Sequence, residues 1–528
     1  MGTIWYGGTI YTMEKEHETI EAVFTEKDRI IEIGSKEALL NKYEGRIAEY
    51  NDLNRAVMLP GFTDSHIHLI GHGEKLMRLD FSGMHSQGDI INALQKEVRQ
   101  ANHGEWIIGE GWNENQLAEG QMFDRHLLDD LFPGCPIILK RICRHANLAS
   151  SAALEAAGIT KDMPDPAGGI IGRDENGELT GFLMDLAMDL LYTAAPGVTE
   201  GYMEKALNLA VSDCYRYGIT GVHTEDLSYY GSLEKTLAVF KKVIEEKKRR
   251  LKVHMLVHHT VAEELEAMNP VFSSYLETGA VKIFSDGALG GRTALLSEPY
   301  TDDPVQSGVA VHTPEELTAL VKMARKLKRE VAVHAIGDLA FERTMDAIEA
   351  DPPLEVQRDR IIHAQILRTD LIKRAKKLPI ILDIQPGFTA SDFPWVIERL
   401  GEDRMTSSFA WKTLLEEGII CAGGSDAPIE PLNPFLGIHA AVTRKSIHTP
   451  EQEGYYMQEA LSAFEAIQLY TIGSARAVHK EASRGLIKED YEADFTIIDR
   501  DPFRISSDEL KKTMVVMTVI DGQIVFQL

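Results

Sequence analysis

His66 and His68 stand two residues apart in Pro60-Gly61-Phe62-Thr63-Asp64-Ser65-His66-Ile67-His68. On an extended segment alternate side chains point the same way, so two imidazoles at this spacing can grip one ion together. Alone, the pair says little, because histidines often serve packing or solvation. Three further runs raise its weight. His334 lies in Val331-Ala332-Val333-His334-Ala335-Ile336-Gly337-Asp338, and His363 in Arg360-Ile361-Ile362-His363-Ala364-Gln365. Asp426 lies in Cys421-Ala422-Gly423-Gly424-Ser425-Asp426-Ala427-Pro428. A fifth run, Val281-Lys282-Ile283-Phe284-Ser285-Asp286-Gly287, carries a lysine inside an apolar stretch. Imidazoles with a carboxylate suit zinc, with iron, manganese and cobalt as alternatives.

These residues need elements that bring them to one place. Apolar runs at 57–63, 218–223, 251–257, 280–285, 331–335, 360–364, 380–385 and 419–424 read as strands, with amphipathic helices such as 315–329 and 341–350 between most of them. Alternating strand and helix units predict an α/β fold, a (β/α)₈ TIM-type barrel, in which side chains at the strand C-termini converge on one face. The barrel is expected over 57–484. Residues 1–56 and 485–528 alternate like β structure with Gly turns, and predict a small β-sandwich domain built from both ends. The gap after the first strand is too long for one crossover, so about 70 to 210 is expected to be a large insertion.

The chain has 528 residues, 44% hydrophobic and 26% charged, enough apolar material for a large core. Its net charge of −26 argues against nucleic acid and anionic membrane surfaces as partners. Cys135, Cys143, Cys214 and Cys421 have no CxxC spacing and read as reduced thiols. The first residues lack a secretory pattern, and no apolar stretch is long enough to span a bilayer. The expectation is a cytoplasmic protein acting on a small molecule, with a homodimer as its candidate assembly.

PGFTDSHIH, WIIGEGWNEN, RHANLASSAALEAAGI, VKIFSDGALGGRTALL, VAVHAIGD, RIIHAQ and GGSDAP together resemble the amidohydrolase superfamily, in its YtcJ-like branch, over nearly the whole chain. Glu492 departs from the pattern, standing where relatives often have Lys, as do Cys421 and the doubled glycine before Ser425. The resemblance implies that His66, His68 and Asp426 hold one metal and that His334 and His363 hold a second. Lys282, carboxylated on its amine, would bridge two zinc ions. An ammonium has no lone pair to give, whereas a carbamate acts as a carboxylate. Asp426 would take a proton from water and pass it to a leaving nitrogen.

Such a site cleaves a C–N bond in an amide, N-formyl, carbamoyl or cyclic amide compound. Deamination of a heterocycle and a catalytically silent metal-stabilised binding protein are the alternatives. Ala335-Ile336-Gly337-Asp338 lacks the HxxE helper that deaminase relatives carry after the fifth strand. Trp112 and His145 are expected to reach the substrate pocket from the insertion, with Arg292 and Gln385 from the barrel. His72, His85, His103, His254, His258 and His259 read as non-ligands.

Overall fold

The computed structural model describes residues 1–528 except 82, 102–103, 115–116, 142–145, 167–168, 186 and 195–198, and only the backbone at 185 and 192–194. The described chain divides into two compact units, Met1–Gly73 with Leu207–Leu528, and Glu74–Ala206.

In the first unit, eight parallel strands form a nearly closed barrel. They are Phe62–Ile67 (β1), Ile219–Thr224 (β2), Lys252–His258 (β3), Leu276–Phe284 (β4), Val331–Ala335 (β5), Asp359–His363 (β6), Ile380–Ile384 (β7) and Ile420–Gly423 (β8). Each pairs with the next in chain order. Runs such as Ile380–Ile384 are buried at every position, as strands covered on both faces must be. The helices between them carry their own start signals. Pro314–Lys326 opens with a capping box from Thr313 and Glu316 and a proline in its first turn. Inside the barrel, Arg360 is buried against Asp383 and donates to the Ser65 carbonyl at 2.6 Å.

The first expected strand, 57–63, is two strands. Val57–Pro60 belongs to the terminal sheet, where Met58 pairs with Ile10 and Ile497, and only Phe62 onward enters the barrel. Gly61 is the joint. Its N–H donates to the Asp494 carbonyl at 2.8 Å, and a Cβ there would lie 2.4 Å from Thr220 Oγ1. The apolar run continues across this switch, so residue type alone does not mark it.

The terminal strands form one eight-stranded sheet. Its path runs Gln523–Gln527, Val515–Ile520, Phe495–Ile498, Val57–Pro60, Gly2–Tyr11, Thr19–Glu26 and Arg29–Gly34, with Ile47–Asp52 paired to Gly2–Tyr11. Trp5, Val23, Met58, Phe495 and Val519 of this sheet share one core. Glu492, the departure from the family pattern, pairs with Lys252 and Arg484 beneath the barrel, where Lys252 also meets Asp494 and Asp521.

The second unit, Glu74–Ala206, has a six-stranded sheet of its own, in the order Gly169–Arg173, Leu179–Asp185, Ala146–Ala149, Ile137–Arg141, Ile107–Trp112 and Leu79–Asp80. Two apolar clusters pack against it, one around Phe81, Leu94 and Leu139, the other around Ile138, Leu154 and Leu183. Among the described residues, no helix is long and apolar enough to cross a membrane.

Candidate metal centre

The C-terminal ends of β1, β4, β5 and β6 and the loop after β8 bring six expected residues together. His66 Nε2 and His68 Nε2 each lie 3.5 Å from Asp426 Oδ1. Suitable ligand atoms of these three residues all fall within 4.8 Å of one another. Lys282 Nζ lies 3.2 Å from His66 Nε2. The rings of His363 and His66 are 5.7 Å apart, and those of His334 and His363 only 4.4 Å. His66, Lys282 and His363 are buried; His68 and His334 are half-buried.

Backbone geometry holds this cluster. Asp426 N donates to the His66 carbonyl and His68 N to the Ala427 carbonyl, both at 2.8 Å, stitching the loop after β8 to β1. The buried Asp64 carboxylate accepts from Ser425 N and His66 N, reinforcing the same seam. Asp426 and His363 both have left-handed backbones, φ 57° and 78°. Side chains rarely adopt these angles unless the surroundings impose them, and such strain gathers at functional sites.

The electrostatics suit a cation. Burial, with Lys282 beside them, pushes His66 and His334 well below the usual imidazole value. Burial likewise takes His363 to about 4, so all three stay neutral and can donate a lone pair. His68 behaves otherwise. Burial pulls it down, but its hydrogen bond and charge contact with Asp426 outweigh this and bring it up to about 9. Burial pushes Asp426 up, yet His68 and His363 hold it below the ordinary carboxylate range. His68 and Asp426 thus stabilise charge where a cation would bind, and metal binding displaces protons from its ligands. Burial lowers Lys282 to about 8. The Nδ1 atoms of His66 and His363 are buried without a hydrogen-bond partner. His334 Nε2 lies 3.0 Å from the Gly287 carbonyl, which leaves Nδ1 as its free donor. The residues present fit a divalent metal.

The outer candidates fare differently. Trp112 is buried in the insertion's own core, its Nε1–H donating to the Leu139 carbonyl at 3.0 Å. An indole needs a partner when buried, and this one has it inside the unit. His145 lies outside the described residues, as does His103. Arg292 holds Asp302 at 2.8 Å, so its guanidinium is already engaged. Gln385 is fully buried beside His363 and donates to the Asp383 carbonyl at 2.9 Å. His72 pairs with Asp213 at 2.9 Å.

Sequence reasoning overlooked Glu225. It follows β2 directly, is fully buried, and its backbone carbonyl lies 2.8 Å from His68 Nδ1. The available signal was a Thr-Glu-Asp run at a strand C-terminus on the same face as the ligands.

The sequence model of the Amidohydrolase family matches residues 49–526. The chain belongs to the amidohydrolase family. This amidohydrolase is 52% identical over 527 residues to YtcJ of Bacillus subtilis (strain 168), covering 100% of both chains. It is 26% identical to an N-substituted formamide deformylase of Arthrobacter pascens, over 97% of this chain and 96% of the other. A Pyrococcus furiosus structure described as an uncharacterized metal-dependent hydrolase superposes with a TM-score of 0.80 at 29% identity, covering 96% of this chain and 100% of that one. The family and the fold together make the protein a hydrolase with a divalent metal centre.

Proposed function

We propose that this amidohydrolase cleaves a C–N bond other than a peptide bond, in an amide, N-formyl, carbamoyl or cyclic amide substrate, and that it works with two zinc ions. The observation that carries the reading is the pairing of two donor groups across one lysine. His66, His68 and Asp426 converge on one side, His334 and His363 stand together on the other, and Lys282 lies among them. A carbamate on Lys282 would give the two sides a common carboxylate. The Arthrobacter pascens relative, an N-substituted formamide deformylase, acts on a bond of the same class.

When bound, divalent ions supply Lewis acidity and an acidified water. The chain supplies the rest. Asp426, held ionised, accepts the water proton at a carboxylate oxygen and returns it to the departing nitrogen. Gly287 fixes the tautomer of His334 through its carbonyl, and that of Glu225 does the same for His68. The products are a carboxylic acid and an amine. Asp338, which follows β5, accepts from Ser297 and pairs with Arg368, so it is occupied in packing the loop. This speaks against a deaminase helper at that point. Cys135, Cys214 and Cys421 are free thiols, in keeping with the cytoplasmic setting we infer for a small-molecule enzyme.

Elemental analysis of protein purified without chelators tests the reading. About two divalent ions per chain are expected, since the donors exceed what one tetrahedral ion uses. A screen of N-acyl and N-formyl amines should then yield turnover that Asp426→Asn abolishes. A reproducible single ion under metal-supplemented growth would overturn the two-metal form.

A further inference from the structure

We propose that Glu225 and Tyr229 form a positioning pair that holds His68 from behind and sets how strongly it binds metal. The inference rests on the metal centre proposed above. Thr224-Glu225-Asp226 closes around the turn that carries His68. Asp226 Oδ2 accepts from Leu69 N at 3.0 Å, and Thr224 Oγ1 from the same N–H at 2.9 Å. Glu225 N donates to the Ile67 carbonyl at 3.0 Å. These contacts pin the backbone on both sides of His68. Glu225 then reaches the ring itself, its carbonyl 2.8 Å and its carboxylate 3.8 Å from Nδ1. His68 Nε2 is thereby turned toward Asp426.

The carboxylate is the unexplained part of this arrangement. The carbonyl alone would fix the tautomer, yet a fully buried carboxyl group stands beside it with Oε1 unpartnered. Burying a polar group is costly unless it is hydrogen-bonded. Glu225 Oε2 accepts the hydroxyl of Tyr229, whose ring lies 5.8 Å from His68 and is 47% exposed. A tyrosine hydroxyl is a ready donor to a carboxylate. A chain of groups thus runs from Tyr229 through the buried Glu225 side chain to the imidazole of His68. An anion behind a ligand imidazole makes it a better donor, and loss of such a partner typically weakens metal binding about 10–100-fold.

The test is zinc titration of the full-length, metal-free protein against a chromogenic chelator, beside thermal unfolding of the same metal-free samples. Glu225→Gln should weaken the zinc held by His66, His68 and Asp426 about 10–100-fold. Tyr229→Phe should weaken it a few-fold, and the double variant should match Glu225→Gln within about twofold, because the phenol acts through the carboxylate. A merely structural role would shift Tm and leave zinc affinity unchanged, or make the two losses multiply, and either result overturns the proposal. If Glu225→Gln does not fold, Tyr229→Phe decides: unchanged zinc affinity in that variant is fatal. A wild-type chain that retains no zinc defeats the metal reading itself, whereas wild-type binding matched by all variants defeats this inference alone.

Discussion

Lys282 illustrates how burial can convert an ordinary side chain into a reagent. A solvated lysine titrates near 10.4, and full burial lowers this one to about 8. Only the neutral amine can attack carbon dioxide. Its fraction falls about tenfold for each pH unit below that value. At fixed dissolved carbon dioxide, activation of the metal-free protein by zinc should therefore speed up about tenfold from pH 6 to pH 7 and level off above pH 8. Lys282→Arg should show no activation at any pH, since a guanidinium stays charged. An activation rate independent of pH in the wild-type protein would remove the carbamate. Much of the site is visible at this scale because ligands are few in chemical kind. Histidine and aspartate at strand ends can be read directly. Glu225 escaped because its role depends on which neighbour it backs, and nothing in residue type or spacing reports that.

Elements impose a different kind of demand, that of close approach. Gly424 sits where the end of β8 passes β1, and a Cβ there would meet His66 N at 2.6 Å and Asp64 Oδ1 at 2.9 Å. Both obstacles are fixed, one by backbone and one by its own hydrogen bonds. Gly424→Ala should push the two strands apart, costing about 1–3 kcal/mol in denaturant unfolding. The same variant should also bind zinc more weakly, because Asp426 and His66 move with those strands. Unchanged zinc affinity would mean the seam yields elsewhere. The doubled glycine is thus a packing requirement of the metal centre. Strand positions were legible here because fully buried parallel strands read as unbroken apolar runs. That signal fails at Gly61, where one such run serves two sheets. It fails again in the insertion, whose six-stranded sheet mixes strands as short as Leu79–Asp80 with helices and loops.

For the molecule as a whole, the joint at Gly61 means that the terminal sheet and the metal centre are not separate constructions. Val57–Pro60 is hydrogen-bonded on both sides in the terminal sheet, to Gly2–Tyr11 and to Phe495–Ile498, and β1, which carries His66 and runs into His68, begins two residues later. The chain offers no slack between them, for Gly61 is itself bonded to Asp494. A segment so braced cannot open at one end while the other stays closed, so both ends should behave as one cooperative unit in native-state hydrogen exchange. Zinc bound at His66 and His68 would then slow exchange at the Met58 and Leu59 amides, beyond the centre itself. Amides of Ile31 and Ile33 on the far edge strand should respond less. Equal protection at both places would indicate global stabilisation, and none at Met58 and Leu59 would mean that Gly61 acts as a hinge. If the expected pattern is found, the terminal sheet keeps time for the catalytic centre: how often the first two ligands let go is set by how often that sheet breathes.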